Sequence, residues 1–275
     1  MRKRSALCLY ALLATAFAFT ASPAAAQFTP RFVGDPASSE NFIVEGFAGL
    51  WSPGADMAIT SESLGIAGTR IDFRNDLGLT NQRFGELRVA LKPGRKHKLR
   101  YQYIPINYTQ SAIANRDIVF NGQRYRVGVQ VDSILQWRAH RFAYEYDFVT
   151  MDRGFGGFIL EAKYTDVLAE LAVPGLLNEF AHARAPIPAI GGIVRVYVVP
   201  SVSVTTEITG LKIPNSIDES FEAHYADIDI YGVLNVTDRF GAQFGWRSLD
   251  VGYVLDSDTG SFVVKGLYFG GVARF

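Results

Sequence analysis

The sequence predicts an all-β protein, an antiparallel up-and-down transmembrane β-barrel of about ten strands, with eight and twelve strands as the alternatives. Three observations lead to this prediction. The amino terminus is typical of an export signal, many segments alternate apolar and polar residues, and the 275 residues include 20 Phe, 13 Tyr and 26 Gly. No segment after residue 26 offers about 18 consecutive apolar residues, so no transmembrane helix is predicted in the mature chain.

The amino-terminal segment has the three parts of a cleaved signal. Basic residues follow Met1, an apolar stretch extends to Phe19, and three alanines precede Gln27. An uncleaved anchor is the alternative, but the apolar stretch is too short to span a bilayer comfortably. We predict a signal peptide at 1–26, a periplasmic N-terminal segment at 27–40 and an outer-membrane β-barrel domain at 41–275.

Charge and cysteine content exclude several classes of protein. The 27 basic and 27 acidic residues form no basic run, which argues against nucleic acid as a partner. Cys8 lies within the predicted signal, so we predict that the mature chain contains no disulfide. No motif indicates a cofactor.

Alternation with a period of two is clearest at residues 141–148. Phe142, Tyr144, Tyr146 and Phe148 share one face, opposite Arg, Ala, Glu and Asp. A soluble β-sandwich alternates too, so two further features decide. The apolar face is aromatic near strand ends, as girdles at a membrane interface require, and the polar face carries charges of both signs.

The predicted connections alternate between short and long, which is typical of periplasmic turns and extracellular loops. We predict turns at 93–96, 150–153, 200 and 237–238, and longer connections at 53–82, 109–123, 168–187 and 211–221. The ten predicted strands are 42–52, 83–92, 97–108, 124–148, 155–167, 188–199, 201–210, 222–236, 239–255 and 261–275. An even number places both termini in the periplasm.

Two segments leave the strand count open. Val127 to Val131 and Phe142 to Tyr146 have opposite parity within 124–148. A bulge near residues 138–140 would exchange the faces, whereas a hairpin there, with a further strand at 69–73, would give twelve strands. Pro105 cannot donate to a strand ladder, which predicts a bulge or a position outside the membrane.

The carboxyl-terminal strand resembles that of a known class. Counting back from Phe275, alternate residues are Ala273, Gly271, Phe269 and Leu267, an uncharged face closed by an aromatic residue. This resembles the last strand of small bacterial outer-membrane β-barrel proteins. The resemblance implies that Phe269 and Phe275 form the signal that the barrel-assembly machinery reads.

The same class implies a location in the outer membrane, with outer-membrane lipid and lipopolysaccharide as neighbours. Lys265 departs from the uncharged face, and we expect it near the outer interface, where a Lys can snorkel. Because an open sheet edge is costly in hydrocarbon, the strand at 42–52 is predicted to pair with the last strand.

The polar faces are predicted to bring sixteen charged side chains into the lumen. A ten-stranded barrel is only slightly wider than an eight-stranded one, which side chains fill, so we predict that they pair with one another rather than line a selective pore. They are Glu45, Glu86, Arg88, Lys98, Arg100, Arg141, Glu145, Asp147, Glu161, Lys163, Arg195, Glu207, Asp227, Asp229, Arg247 and Arg274.

Histidines are the first candidates for catalysis: His97, His140, His182 and His224. His224 lies close in sequence to Asp218, Glu219 and Ser220, but no spacing matches a set of nucleophile, base and orienting group. We therefore predict no catalytic residue. A Ser, Asp or Glu within hydrogen-bond reach of His182 or His224 would favour an enzyme.

Metal and ligand sites are weakly indicated. Asp227 and Asp229 supply two carboxylates, fewer than calcium needs, and are predicted to pair with Arg195 or Arg247 instead. The connection 168–187 is the most apolar, which predicts a surface helix or a loop in the barrel mouth and makes it the first candidate for a ligand-binding or lid element.

We therefore predict a monomeric barrel with a structural role, or one that passes or binds a small solute at the lumen mouth, without enzymatic activity. One alternative is an outer-membrane enzyme acting on lipid or peptide at the extracellular rim. Another is a soluble periplasmic β-carrier, with its aromatic faces buried.

Overall fold

A computed structural model describes residue 37 and residues 40–60, 68–213, 221–255 and 258–275. The predicted signal peptide lies outside them. Ten long antiparallel strands form one sheet in which each strand lies beside the next. The long strands are β1 (Val44–Thr60), β3 (Phe84–Gly94), β4 (His97–Ile113), β7 (Gln130–Met151), β8 (Gly154–Val173), β9 (Leu177–Val199), β10 (Val202–Ile213), β11 (Phe221–Asn235), β12 (Phe240–Leu255) and β13 (Asp258–Arg274). Three short strands are β2 (Ile71–Asp72), β5 (Ile118–Phe120) and β6 (Gln123–Tyr125).

The sheet closes on itself, which confirms the predicted barrel of ten strands. β13 pairs with β1 from Glu45↔Arg274 to Thr60↔Thr259. Backbone hydrogen bonds continue past the strand ends, because the amides of Ile43 and Val44 both donate to the carbonyl oxygen of Phe275. Closure satisfies the edges that an open sheet would expose to hydrocarbon.

The predicted bulge at 138–140 and the twelve-strand alternative are both wrong. β7 pairs with β4 without interruption from Gln130 to Tyr146, and β2 is two residues long. The change of parity has another cause: the inner face of β7 is apolar at Val131 and Leu135 and charged at Arg141. Hydrophobicity therefore moves from the inner to the outer face along one regular strand.

Pro105 causes no bulge either. Its pairing with Arg138 lies within the unbroken register of β4 and β7. The pairing of β4 with β3 extends only to Tyr103. At Pro105, β4 therefore pairs with β7 but no longer with β3. The missing N–H of Pro105 breaks no hydrogen bond between β4 and β3.

Several predicted loops are strands in the structure. The connection 168–187 holds no helix and no mouth loop: β8 and β9 continue through it and meet at a tight turn between Val173 and Leu177. β1 likewise continues to Thr60, inside the predicted connection 53–82. These strands rise above the membrane, where the inner face is also apolar, so the alternation that marks strands is lost.

Two prolines coincide with the end of the ladder between β9 and β10. The pairing ends at Gly210↔Ile190, although both strands continue. Pro188 and Pro186 come next along β9, and the β8 ladder passes both without interruption. From residue 189 to residue 177, β9 pairs with β8 but not with β10. We infer that the nitrogens of Pro188 and Pro186, which carry no hydrogen, face β10.

The outside of the barrel carries an apolar belt. Its side chains are large and exposed, among them Leu160, Val194, Ile230, Phe244 and Phe269. On β11 the outward residues from Leu234 to Ala226 lack charge over nine positions, within the roughly 9–11 residues that a tilted strand needs to cross a bilayer. No helix in the residues described is long and apolar enough to span a membrane.

The inside has two layers. Towards the end that carries the termini and the short turns, which we call the periplasmic end after the predicted topology, the interior is charged. Towards the extracellular end it is an apolar core that includes Trp51, Leu135, Trp137 and Phe262. The two layers meet in the interior of the barrel, so a site inside it lies in the charged layer, in the apolar core or at their boundary.

Candidate functional site

All sixteen side chains predicted for the lumen take part in ion pairs in the structure. Two further residues that the sequence analysis missed, Glu40 and Lys92, join them. The bases are Arg88, Lys92, Lys98, Arg100, Arg141, Lys163, Arg195, Arg247 and Arg274, and the acids are Glu40, Glu45, Glu86, Glu145, Asp147, Glu161, Glu207, Asp227 and Asp229. Acids and bases are therefore equal in number within this set.

Asp227 is the most crowded acid of the layer. Arg247 lies 2.5 Å from its Oδ2, Lys163 at 3.5 Å and Arg141 at 3.6 Å. The Lys163 ammonium also lies 3.4 Å from the centre of the Tyr225 ring. Pairs such as Asp227 with Arg247 are cross-strand neighbours of β11 and β12, as predicted from charge complementarity.

Other acids are shared in the same way. Glu145 accepts from Lys98 at 2.6 Å and from Arg100 at 2.9 Å, and Arg100 reaches across the lumen to Glu207 at 2.7 Å. Arg88 pairs with Asp229 at 2.9 Å. These contacts span the barrel, so the charged layer links opposite walls.

Glu40 closes the periplasmic end of this layer. Its Oε1 accepts from Arg195 Nη1 at 2.8 Å and from the Tyr197 hydroxyl at 2.7 Å, and Lys92 Nζ donates to its carbonyl oxygen at 2.7 Å. The amide of Ala37 donates to the carbonyl oxygen of Asp152 in the turn between β7 and β8. Ala37 and Glu40 therefore both contact the periplasmic end of the barrel.

Burial alone raises the pKa of Glu40, but the positive charges of Arg195, Lys98 and Lys92 outweigh it and lower the pKa to about 2. Glu40 is therefore ionised at neutral pH. No sequence pattern indicates this contact, because Glu40 precedes the first strand and belongs to no alternating segment.

The extracellular mouth is filled by two connections. The hairpin of β5 and β6 turns at Asn121 and Gly122, both with positive φ, and buries Ile118, Phe120 and Tyr125. The Tyr125 hydroxyl donates to the carbonyl oxygen of Leu171 at 2.9 Å. We call the hairpin and the connection at 68–83 the apolar cap.

The connection at 68–83 is fixed to the hairpin. The amide of Thr69 donates to the carbonyl oxygen of Val119 at 2.9 Å, and Arg116 pairs with Asp76 at 2.6 Å. Phe73 and Leu77 are fully buried below it.

Between the two ends of the barrel, two interior cavities have volumes of about 40 and about 30 Å³.

The four histidines all lie on the outer surface. His97 Nδ1 contacts the Tyr144 hydroxyl at 2.6 Å, and the His140 ring stacks on Tyr103 with ring centres 4.7 Å apart. Both lie among aromatic side chains at the two borders of the apolar belt. This environment suits the membrane interface.

His182 and His224 each have the carboxylate partner that the sequence analysis set as a criterion for an enzyme. His182 Nε2 lies 2.7 Å from Asp166 Oδ1, and His224 Nε2 lies 3.2 Å from Asp250 Oδ1. Among the residues described, no Ser or Thr hydroxyl is hydrogen-bonded to either ring. Asp218, Glu219 and Ser220 lie outside the described residues.

The remaining predicted sites are placed as follows. Asp229 accepts a hydrogen bond from the Tyr268 hydroxyl at 2.8 Å, and the described part of the chain holds no cluster of three or more His, Cys, Asp or Glu side chains suited to a metal ion. Phe269 is exposed on the apolar belt. The ring of Phe275 lies 6.3 Å from that of Phe240, edge to face, at the periplasmic border.

Comparison with solved structures identifies the fold. The outer-membrane protease OmpT from Escherichia coli superposes with a TM-score of 0.55 and 5% identity, over 91% of this chain and 100% of that one. Ail, the attachment invasion locus protein of Yersinia pestis, solved with the heparin analogue sucrose octasulfate, gives a TM-score of 0.34 and 10% identity over 83% and 98%. The toluene transporter TodX from Pseudomonas putida gives 0.36 and 7% over 88% and 93%.

Only the first of these superposes closely enough to support an argument, and at 5% identity it shows the fold alone. No protein-family model and no curated protein matches the chain. The chain has the fold of a bacterial outer-membrane β-barrel, and its apolar belt and charged interior agree with a location in the outer membrane.

Proposed function

We propose that the protein is a closed, non-conducting barrel that anchors a folded extracellular cap in the outer membrane. The observation that supports this proposal is that side chains fill the interior along its length. Ion pairs join opposite walls in the periplasmic half, and an apolar core occupies the extracellular half.

The energetics of the charged layer favour a closed lumen. An ion that leaves water for the lumen of a narrow barrel must find new partners along its path. Here each charged side chain of the layer already has a partner of opposite charge. Ion-selective pores instead use rings of one sign. Passage of a solute would also require the apolar cap and the segment at Glu40 to leave both mouths.

Planar-bilayer recording of the refolded protein tests this proposal. We expect no discrete conductance steps, and we expect vesicles that contain the protein not to swell in small sugars. Reproducible single-channel steps in the wild-type chain would overturn it and favour solute passage. Protein refolded with the cap intact, as judged by protease resistance of residues 114–128, is the material to use.

We also propose that lipopolysaccharide contacts the wall just above the apolar belt. There Arg138, Asp166 and Arg184 face outward in neighbouring positions of β7, β8 and β9, and His182 joins Asp166. Arg184 pairs with Asp166 at 3.1 Å. Arg138 donates instead to the side-chain oxygen of Gln136 at 3.4 Å. One carboxylate therefore stands against two arginines, which leaves positive charge at the level of the lipid headgroups.

The double variant R138Q/R184Q tests this contact. We expect it to lose most of the stabilisation that lipopolysaccharide gives to the barrel over phosphatidylcholine vesicles. R124Q/R126Q, which removes two exposed arginines from the extracellular connection, should keep it. Equal losses in both variants, or stabilisation of the wild type by inorganic phosphate alone, would contradict a specific lipid contact.

An enzyme acting on lipid is the second candidate, because His182 and His224 each pair with an aspartate at the same outer surface. A hydrolytic site of this kind uses a nucleophile, a base and a carboxylate that orients the base, and each of these pairs supplies the last two. Incubation of the refolded protein with lipopolysaccharide or phospholipid, followed by mass spectrometry, tests it. Release of acyl chains that H224A or H182A abolishes would favour this candidate.

A further inference from the structure

We propose that a single halide ion binds inside the barrel, in the cavity of about 30 Å³ where the apolar core meets the charged layer. The cavity lies between the two mouths, beside the ion pairs of Asp227. Its charged side is formed by Arg141, Lys163 and Arg247, and its apolar side includes Trp51, Trp137 and Leu249.

The charged side chains that line this cavity are all cationic, although each is ion-paired on the side away from the cavity. The three cationic side chains are each more than nine-tenths buried, and no Asp or Glu is among the lining residues in the described part of the chain. Their carboxylate partners Asp227 and Glu161 do not reach the cavity wall. Glu86 is also 3.5 Å from Arg247, but Arg88 shares it.

A second observation points to an acceptor in the same place. Trp137 is buried and lines the cavity, yet its Nε1 has no hydrogen-bond partner among the residues described. Trp51, on the same wall, donates its Nε1–H to the carbonyl oxygen of Gly266 at 3.3 Å. A buried donor requires a partner, and an anion would serve both this donor and the cations.

The volume of the cavity limits the anion to a small one, such as a single halide ion. A water molecule needs roughly 10–15 Å³ of such space, so about 30 Å³ accepts one or two particles of that size. A monatomic halide is only slightly larger than water. A lipid, a sugar or an organic acid does not fit without rearrangement of the wall.

Crystals of the wild-type protein grown in sodium bromide give the direct test. We expect an anomalous bromide peak within the cavity, close to Trp137 Nε1 and Lys163 Nζ. Density for water alone in the cavity, or bromide at surface positions only, would overturn the proposal. This experiment needs no variant and does not depend on whether the barrel conducts.

Thermal unfolding in detergent gives an independent test at constant ionic strength, with sodium bromide replacing sodium gluconate. A ligand of the native state raises the midpoint with the logarithm of its concentration above Kd. We expect this rise in the wild type and in W51F, and its loss in W137F. Both changes remove one indole from the same cavity, so an unchanged rise in W137F would contradict the proposal.

Discussion

At the scale of the residue, Asp227 shows what holds charges inside this barrel. Three cations lie within 3.6 Å of its carboxylate, which is buried. Removing one partner of a buried pair leaves the other charge uncompensated. We expect D227N to lower the free energy of unfolding by about 3–5 kcal/mol, measured by urea titration in lipid vesicles.

Asp250 provides the matched control for that measurement. It lies on β12, next to the strand β11 that carries Asp227, and contacts His224, but its side chain is nearly half exposed. Exposed pairs contribute about 0–1 kcal/mol, so D250N should change stability little. Similar losses in the two variants would contradict the view that burial makes the lumen charges important.

Glu40 leads to a prediction of pH dependence. A carboxyl with a lowered pKa contributes stability that is complete above its unfolded value of 4.5 and is lost as the pH falls through about 2. A spin label at A37C should therefore stay immobile from neutral pH to about pH 3. In E40Q the label should be mobile throughout, because hydrogen bonds to a charged group contribute about 1.5–3 kcal/mol.

The control for the spin label is K92Q, which leaves the Glu40 carboxylate bound to Arg195 and Tyr197. We expect the label in K92Q to remain immobile at neutral pH. A wild-type label that is released near pH 4.5 would show that Glu40 has an ordinary pKa and does not hold the segment.

The individual lumen residues and the pair of Asp227 with Arg247 on neighbouring strands could be predicted from the sequence, whereas partners on distant strands could not. Parity within a strand decides which face a side chain takes, so Arg141 and Glu161 were placed in the lumen. Contacts between distant strands, such as Arg100 with Glu207, depend on the curvature of the barrel. Trp137 carries no sequence signal, because an orphaned N–H is a property of its surroundings.

At the scale of the element, the ten strands could be predicted because lipid and a charged lumen impose opposite requirements on their two faces. Above the membrane this contrast disappears. The segment 168–187 was therefore assigned to a loop, although β8 and β9 continue through it. The same loss of contrast produced the wrong bulge in β7.

The prolines of β9 give a prediction at this scale. Pro188 lies two residues beyond the last pair with β10, opposite Lys212 in the continued register. We expect P186V/P188V to extend the ladder, which would slow amide exchange at Lys212 by at least tenfold, because the N–H groups of Leu211 and Ile213 face β11 instead. P174A, in the turn between β8 and β9, is the control and should leave that exchange unchanged.

At the scale of the whole molecule, the barrel places apolar side chains outside and charged ones within. Such a distribution is stable only if the outer belt touches hydrocarbon, since exposed Leu and Phe side chains gain nothing in water. Leu160 and Leu168 both face outward on β8. Leu160 lies within the belt, whereas Leu168 lies beyond Asp166 on the extracellular side.

These two leucines provide the test of this arrangement. In lipid vesicles, L160R should cost about 2–4 kcal/mol of unfolding free energy, whereas L168R should cost about 0–1 kcal/mol, because the cost of Arg falls towards the interface. Equilibrium urea unfolding of both variants measures the difference. Equal costs, or a wild-type protein that stays monodisperse in buffer without detergent, would contradict a lipid-facing belt, because Leu160 would then pack inside a soluble core.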